Sequence, residues 1–209
     1  MAVALPADVG GQPRRPRTAL GADVRLNGGG MTPNQHERSY GSVEQLDDGR
    51  WQLRFTRQLP YPKAKVWHAI TEPEHLTEWF PTTIEGERTA GATLRFTFPG
   101  GQAPPMEGEM LSYEHESFME LRWGPDILRL EVRAIGDGTE LTLLDTLEER
   151  GKSARDAAGW HACLEALDVS LRGEPEPREH MSIWNDVHPH YVEQFGPEGA
   201  TIGPPEGVK

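Results

Sequence analysis

The side chains able to do chemistry are few and scattered along the chain. None of the eight histidines falls at metal-ligand spacing with neighbouring acids. His188-Pro189-His190 sets two imidazoles side by side, but no third ligand stands near them. His161 and Glu165 are spaced i, i+4 on a predicted helix. With Asp168 and Arg172 they read as its solvated polar flank. His68 and His75 fall on the polar sides of two short predicted helices. Cys163, the one cysteine, lies on an apolar stripe and reads as an inert packing residue. His161 is two positions away, about 200° around the helix, and so cannot activate it. There is no G-x-S-x-G, no phosphate-binding loop and no G-x-G-x-x-G unit.

Two charged residues stand out because they interrupt apolar faces. Thr139, Leu141, Leu143, Asp145 and Leu147 share one face of a predicted strand. An inward Asp145 would need a partner, and desolvation would raise its pKa. It would then orient a polar ligand group or act as a general acid or base. The other reading puts Asp145 at the strand's end, at a wet mouth. Arg57 breaks the face formed by Trp51, Leu53, Phe55 and Leu59. Either it pairs with an inward acid or a ligand carboxylate, or a bulge turns it outward.

The elements that must position these groups follow from periodicity. From about Ser42 to Leu147 the period is two, in roughly six or seven antiparallel strands. Asp48-Gly49 and Asp137-Gly138 supply turns, and Gly108 weakens the strand over Met106–Tyr113. Pro62 opens a short helix carrying Val66, Trp67 and Ile70. Thr71 with Glu74 reads as a capping box for a second helix bearing Leu76, Trp79 and Phe80. A longer helix, about Ala154–Leu171, has Trp160, Cys163, Leu164, Leu167 and Leu171 on one side. The order is one strand, two short helices, a run of strands and a long helix, which predicts an α+β fold.

The expected domain spans 41–173, between a disordered tail over 1–40 and a C-terminal tail over 174–209. The C-terminal tail carries a short amphipathic piece, Ile183–Phe195. Residues 1–30 hold four arginines, three prolines and six glycines without an aromatic, and Met31 offers an alternative start. Arg14-Arg15 lacks the apolar stretch of an export signal. The whole chain has 209 residues and a net charge of -12, which argues against nucleic-acid and anionic-membrane partners. No apolar run is long enough to span a bilayer. A cytoplasmic protein, monomeric or homodimeric and without a cofactor, is expected.

Pro62, Val66-Trp67, Ala69-Ile70-Thr71, Pro73-Glu74, Leu76 and Trp79-Phe80 together resemble a known signature. It is that of the SRPBCC (START/Bet v 1-like) superfamily, in its Hsp90-ATPase-activator-homologue-like (AHSA1-like) branch. Gly108-Glu109-Met110, Leu121-Arg122-Trp123 and Gly159-Trp160-His161 also fall where that family has strands and its last helix. The resemblance covers about Trp51 to Leu171. It implies a helix-grip fold: a curved antiparallel sheet wrapped around a long C-terminal helix, with two short helices after the first strand.

Such a sheet, roofed by one helix, is expected to enclose an apolar cavity. Its predicted strand walls are Phe55, Phe96, Phe98, Leu121, Trp123, Leu130 and Leu143, with Arg57 and Asp145 as polar members. Its roof is Trp160, Leu164 and Leu167. The first functional expectation is a non-catalytic carrier or sensor of an apolar, aromatic or lipid-like ligand. The second is a stress-linked Hsp90-type chaperone cofactor, using the acidic surface and a detached Met181–Phe195 segment with exposed Trp184 and Tyr191. The third is a polyketide cyclase or dehydratase using Asp145 with Arg57 or His161.

Overall fold

The computed structural model describes residues 39–101, 103–174 and 180–203. The expected N-terminal tail, with Arg14-Arg15 and Met31, lies outside them except for Ser39 and Tyr40. The Tyr40 ring stacks on His190, their centroids 3.7 Å apart.

Two strands, β1 (Ser42–Gln45) and β2 (Trp51–Leu59), precede helices α1 (Lys63–Thr71) and α2 (Pro73–Leu76). Six more strands follow: β3 (Thr83–Glu85), β4 (Thr93–Thr97), β5 (Met106–Glu114), β6 (Phe118–Trp123), β7 (Asp126–Ile135) and β8 (Gly138–Leu147). Helices α3 (Ser153–Arg172) and α4 (His180–Phe195) follow the last strand. The strands form one antiparallel sheet in the order β1-β2-β8-β7-β6-β5-β4-β3. The expected count of six or seven rises to eight because β1 and β3 are too short to show periodicity. The short helices therefore follow the second strand.

Period two holds along the long strands. Leu53, Phe55, Arg57 and Leu59 of β2 all point inward and are buried. Central strand β8 is hydrogen-bonded to β2 on one side and β7 on the other. Its Leu141, Leu143, Asp145 and Leu147 share the inner face, each at most 1% exposed. Arg57 pairs in register with Leu141, so no bulge turns it outward.

Three local details depart from the expectation, each for a stated reason. Thr71 does not cap α2: its hydroxyl donates back to Trp67 O at 2.7 Å, closing α1. Pro73 disfavours helical geometry at the residue before it, and so the extended Glu72 is the boundary. The β7–β8 loop is Gly136-Asp137 rather than Asp137-Gly138, since Gly136 takes the left-handed φ of +56°. Gly108 belongs to a regular part of β5; a Cβ there would run into Arg122 O and the Phe96 ring.

Helix α4 is the largest difference. Ile183, Val187, Tyr191 and Phe195 recur every four residues and are all buried. They pack α4 against α3 rather than leaving a detached segment. Tyr191, expected exposed, is fully buried, and Trp184 is half-buried, its Nε1–H donating to Arg155 O at 3.1 Å. His161, expected on a solvated flank, is also fully buried beneath Tyr191. The Tyr191 hydroxyl accepts from Gly41 N–H at 3.0 Å and lies 2.9 Å from His161 Nδ1, to which it donates when Nε2 carries the imidazole proton. His161 Nε2 then faces Glu165 Oε1 at 3.0 Å as donor.

Replacing Tyr191 with Phe leaves Gly41 N–H and His161 Nδ1 buried and unpaired. Chemical denaturation should record a loss of about 1–3 kcal/mol. A change below about 0.5 kcal/mol would mean that α4 is not held through this network.

Candidate functional site

Most of the space expected under α3 is filled. Trp67 and Trp79, from α1 and the turn after α2, are at most 1% exposed, and the Trp79 indole donates to Ala69 O at 2.8 Å. Their bulk, added to that of α3, closes the inner face. Phe55, Phe96, Leu121, Leu130 and Leu143, with Leu164 and Leu167 from the helix, are therefore core residues and do not line the cavity. Arg57 lies apart too. Its guanidinium donates to Thr56 O at 3.2 Å, its Nη2 finds no partner, and burial pushes its pKa down against the nearby Tyr191 and Glu165. It does not serve Asp145.

A cavity of about 470 Å³ remains at one end of the sheet, between the β6–β7 turn, the start of α3 and Trp184 of α4. Phe98, Trp123, Asp145 and Trp160 line it, as the sequence reading named them for the cavity. Met106, Gly159, Cys163 and Trp184 also line it, although the sequence reading did not assign them to it. The turn is a two-residue loop, Gly124-Pro125, with Gly124 at φ +58°. It holds Trp123 over the cavity and Asp126 at its base. The Trp123 ring packs on Phe96, Phe80 and Trp160, with centroids 4.9, 5.2 and 6.3 Å away.

The base is acidic. Asp126, Asp145 and Asp156 bring carboxylate oxygens within 4.8 Å of one another. Lys152 Nζ donates to Asp126 Oδ1 and Oδ2 at 2.7 and 2.5 Å, and Glu148 N–H adds a bond to Oδ1 at 2.8 Å. Arg155 forks onto Asp156 at 2.6 and 3.2 Å. Asp145 is 1% exposed; its Oδ2 accepts the Trp160 indole N–H at 2.8 Å, and its Oδ1 has no partner. Burial, then the charge of Asp126, pushes Asp145 well above the usual carboxylate range, while the indole bond opposes the shift. Burial also raises Asp156, held back by Arg155. Asp145 is therefore an inward acid at the cavity base rather than a residue at a wet strand end.

The missed members carried weak signals. Lys152 and Asp156 are i, i+4 across a helix start, and Gly159 sits mid-helix, where alanine would be preferred. Nothing local links Asp126 to either, because a chain reversal separates them. His188 and His190 do not converge on one point: His188 stacks on Trp184 at 4.2 Å and His190 on Tyr40. A second groove of about 730 Å³ runs between α1–α2 and the end of α3. Of its polar groups, Lys65 is bound to Leu171 O at 2.7 Å and Ser170 to Glu78.

A sheet gripping a long helix, with a cavity at one end, defines the helix-grip class. The chain belongs to the Activator of Hsp90 ATPase homolog 1-like family, whose model matches residues 60–172. No curated protein matches it. Among solved structures it is similar to CalU16 from Micromonospora echinospora, at 21% identity over 74% of this chain and 95% of that one, TM-score 0.58. EF2215 from Enterococcus faecalis, a conserved protein of unknown function, is 20% identical over 77% and 95%, TM-score 0.61. These two likenesses show the fold. DynU16, a protein in the dynemicin biosynthetic locus, is 26% identical over 59% of this chain and 48% of that one, TM-score 0.53. No described helix is long and apolar enough to cross a membrane.

An acid whose pKa is raised on folding stabilises the fold only while it stays protonated. That stability is fully present below the ordinary carboxylate range and is lost as pH rises toward the raised value. Asp145→Asn keeps an acceptor for Trp160 and removes this loss. The stability of the variant relative to the parent should rise steadily from about pH 4 to pH 8 in thermal melts. Parallel curves for the two proteins would contradict a buried neutral acid.

Proposed function

We propose that the protein binds a small apolar or aromatic molecule in the cavity over Asp145 and performs no chemistry on it. The cavity itself carries this reading. Its volume of about 470 Å³ falls in the range of small-molecule sites, roughly 300–1,000 Å³, and Phe98, Trp123, Trp160 and Trp184 give it an aromatic wall. The likeness to a protein of a biosynthetic locus supports a role in handling small molecules.

A cyclase or dehydratase would need acid and base groups converging on one substrate atom. Of the partners considered for Asp145, His161 belongs instead to the Tyr191 network on the α4 side, and Arg57 donates to Thr56 O. The chaperone-cofactor reading draws on the acidic surface and on a detached segment with exposed Trp184 and Tyr191; of that segment, Tyr191 is buried and Trp184 half-buried.

Gly159 supplies the test. A Cβ built there meets nothing within 4 Å, so a larger side chain would enter the cavity without moving the helix. Gly159→Ala should gain about 0.5–1 kcal/mol of stability. Gly159→Leu should stay folded and lose binding. Thermal shift and native mass spectrometry against fatty acids, sterols and aromatic polyketides provide the readout. Ligands that bind the parent and Gly159→Leu equally well, or no ligand at all, would overturn the proposal.

A further inference from the structure

The cavity base is one cation short. Three aspartates converge there, and two cations reach them. Lys152 is engaged with both oxygens of Asp126, and Arg155 with both oxygens of Asp156. Asp145 is left with one neutral donor, the Trp160 indole, and an Oδ1 that is buried and unpartnered among the described residues. Above this base stand Trp123, Trp160, Trp184 and Phe98. Indole faces attract positive charge, and a carboxylate accepts several N–H donors. An acidic base under an aromatic wall is the recognition chemistry of an organic cation.

We infer that the cavity selects ligands bearing a protonated amine, whose N–H groups reach Asp145 Oδ1 while an aromatic or alicyclic body lies between the tryptophans. The inference rests on the proposed small-molecule reading and adds the charge class of the ligand. A bare divalent ion fits this base less well. Lys152 Nζ already sits 2.5 Å from Asp126 and 4.0 Å from Asp156, and hard cations demand six or more oxygen ligands. A neutral hydroxyl would satisfy Oδ1 but leave the charges as they are.

Without a ligand, burial and the charge of Asp126 favour the protonated form of Asp145. The groups facing that carboxyl are Asp126 on β7, Lys152 in the turn before α3, and Arg155, Asp156 and Trp160 on α3. An arriving ammonium takes over the neutralising role, and the proton leaves to water. Amine binding therefore releases about one proton and tightens as pH rises, up to about tenfold per unit.

The probes are 2-(1-naphthyl)ethylamine and its neutral counterpart 2-(1-naphthyl)ethanol. Each is titrated calorimetrically into the full chain in buffers of differing ionisation enthalpy, from about pH 5.5 to 7.5. The amine should bind at least about tenfold tighter than the alcohol at the upper pH, with proton release. Asp145→Asn should cost the amine about tenfold or more and leave the alcohol nearly unchanged. The amine–alcohol comparison and the proton count need no variant, so they stand even if Asp145→Asn folds poorly. Equal binding of the two probes without proton release would overturn the charge class and leave the small-molecule reading standing. Binding of neither probe, nor of the wider ligand panel, would overturn both. Loss of amine binding on adding magnesium at constant ionic strength would assign the acidic base to a metal and overturn the inference.

Discussion

The Trp160 indole donating to Asp145 joins the two halves of the fold at their least apolar point. Asp145 belongs to β8, which is hydrogen-bonded on both sides, and Trp160 to α3, the helix the sheet grips. Most of the remaining contact between helix and sheet is made by apolar side chains, which hold without specifying an exact seat. A directional bond to a buried carboxyl does specify one, since any sliding of α3 would leave both partners unsatisfied. The bond fixes where the Trp160 ring stands, and hence one wall of the cavity.

Around that bond the interior divides by chemistry. Toward α1 and α2, Trp67 and Trp79 make the core solid. Toward α4, Tyr191 and His161 carry a chain of hydrogen bonds from Gly41 to Glu165. At the β6–β7 turn packing stops short beside the buried Asp145. There Gly124-Pro125 is a tight reversal and Gly159 presents no side chain. The cavity is thus the product of two small-residue positions facing an aromatic wall, rather than of a helix too narrow for its sheet.

Much of this was legible in the sequence where the signal was local. Strict alternation identified the inner face of β2 and β8, including the inward set with Asp145, and the Trp67–Phe80 segment resembled its family closely enough to indicate the helix grip. Phe98 and Trp123 follow from the same alternation, and Trp160 from its place on the covering helix. The errors arose where distant segments meet. Leu121 and Leu143 face inward like Trp123, but alternation does not reveal that Trp67 and Trp79 already occupy the space. The stripe Ile183-Val187-Tyr191-Phe195 is amphipathic in the sequence, yet the partner it needs, the outer side of α3, looks solvent-facing there because His161 and Glu165 are polar. The Asp126–Lys152 pair joins two turns 26 positions apart, beyond the reach of any periodicity.

The central claim is that Asp145 is a neutral acid at the base of a ligand cavity. The most direct measurement is the carboxyl carbon resonance of Asp145 in protein labelled with carbon-13 at aspartate, followed with pH in the absence of ligand. The account predicts that this one signal stays in its protonated position through the range where exposed aspartates titrate, and moves only at higher pH. A signal that titrates together with the exposed aspartates would contradict it.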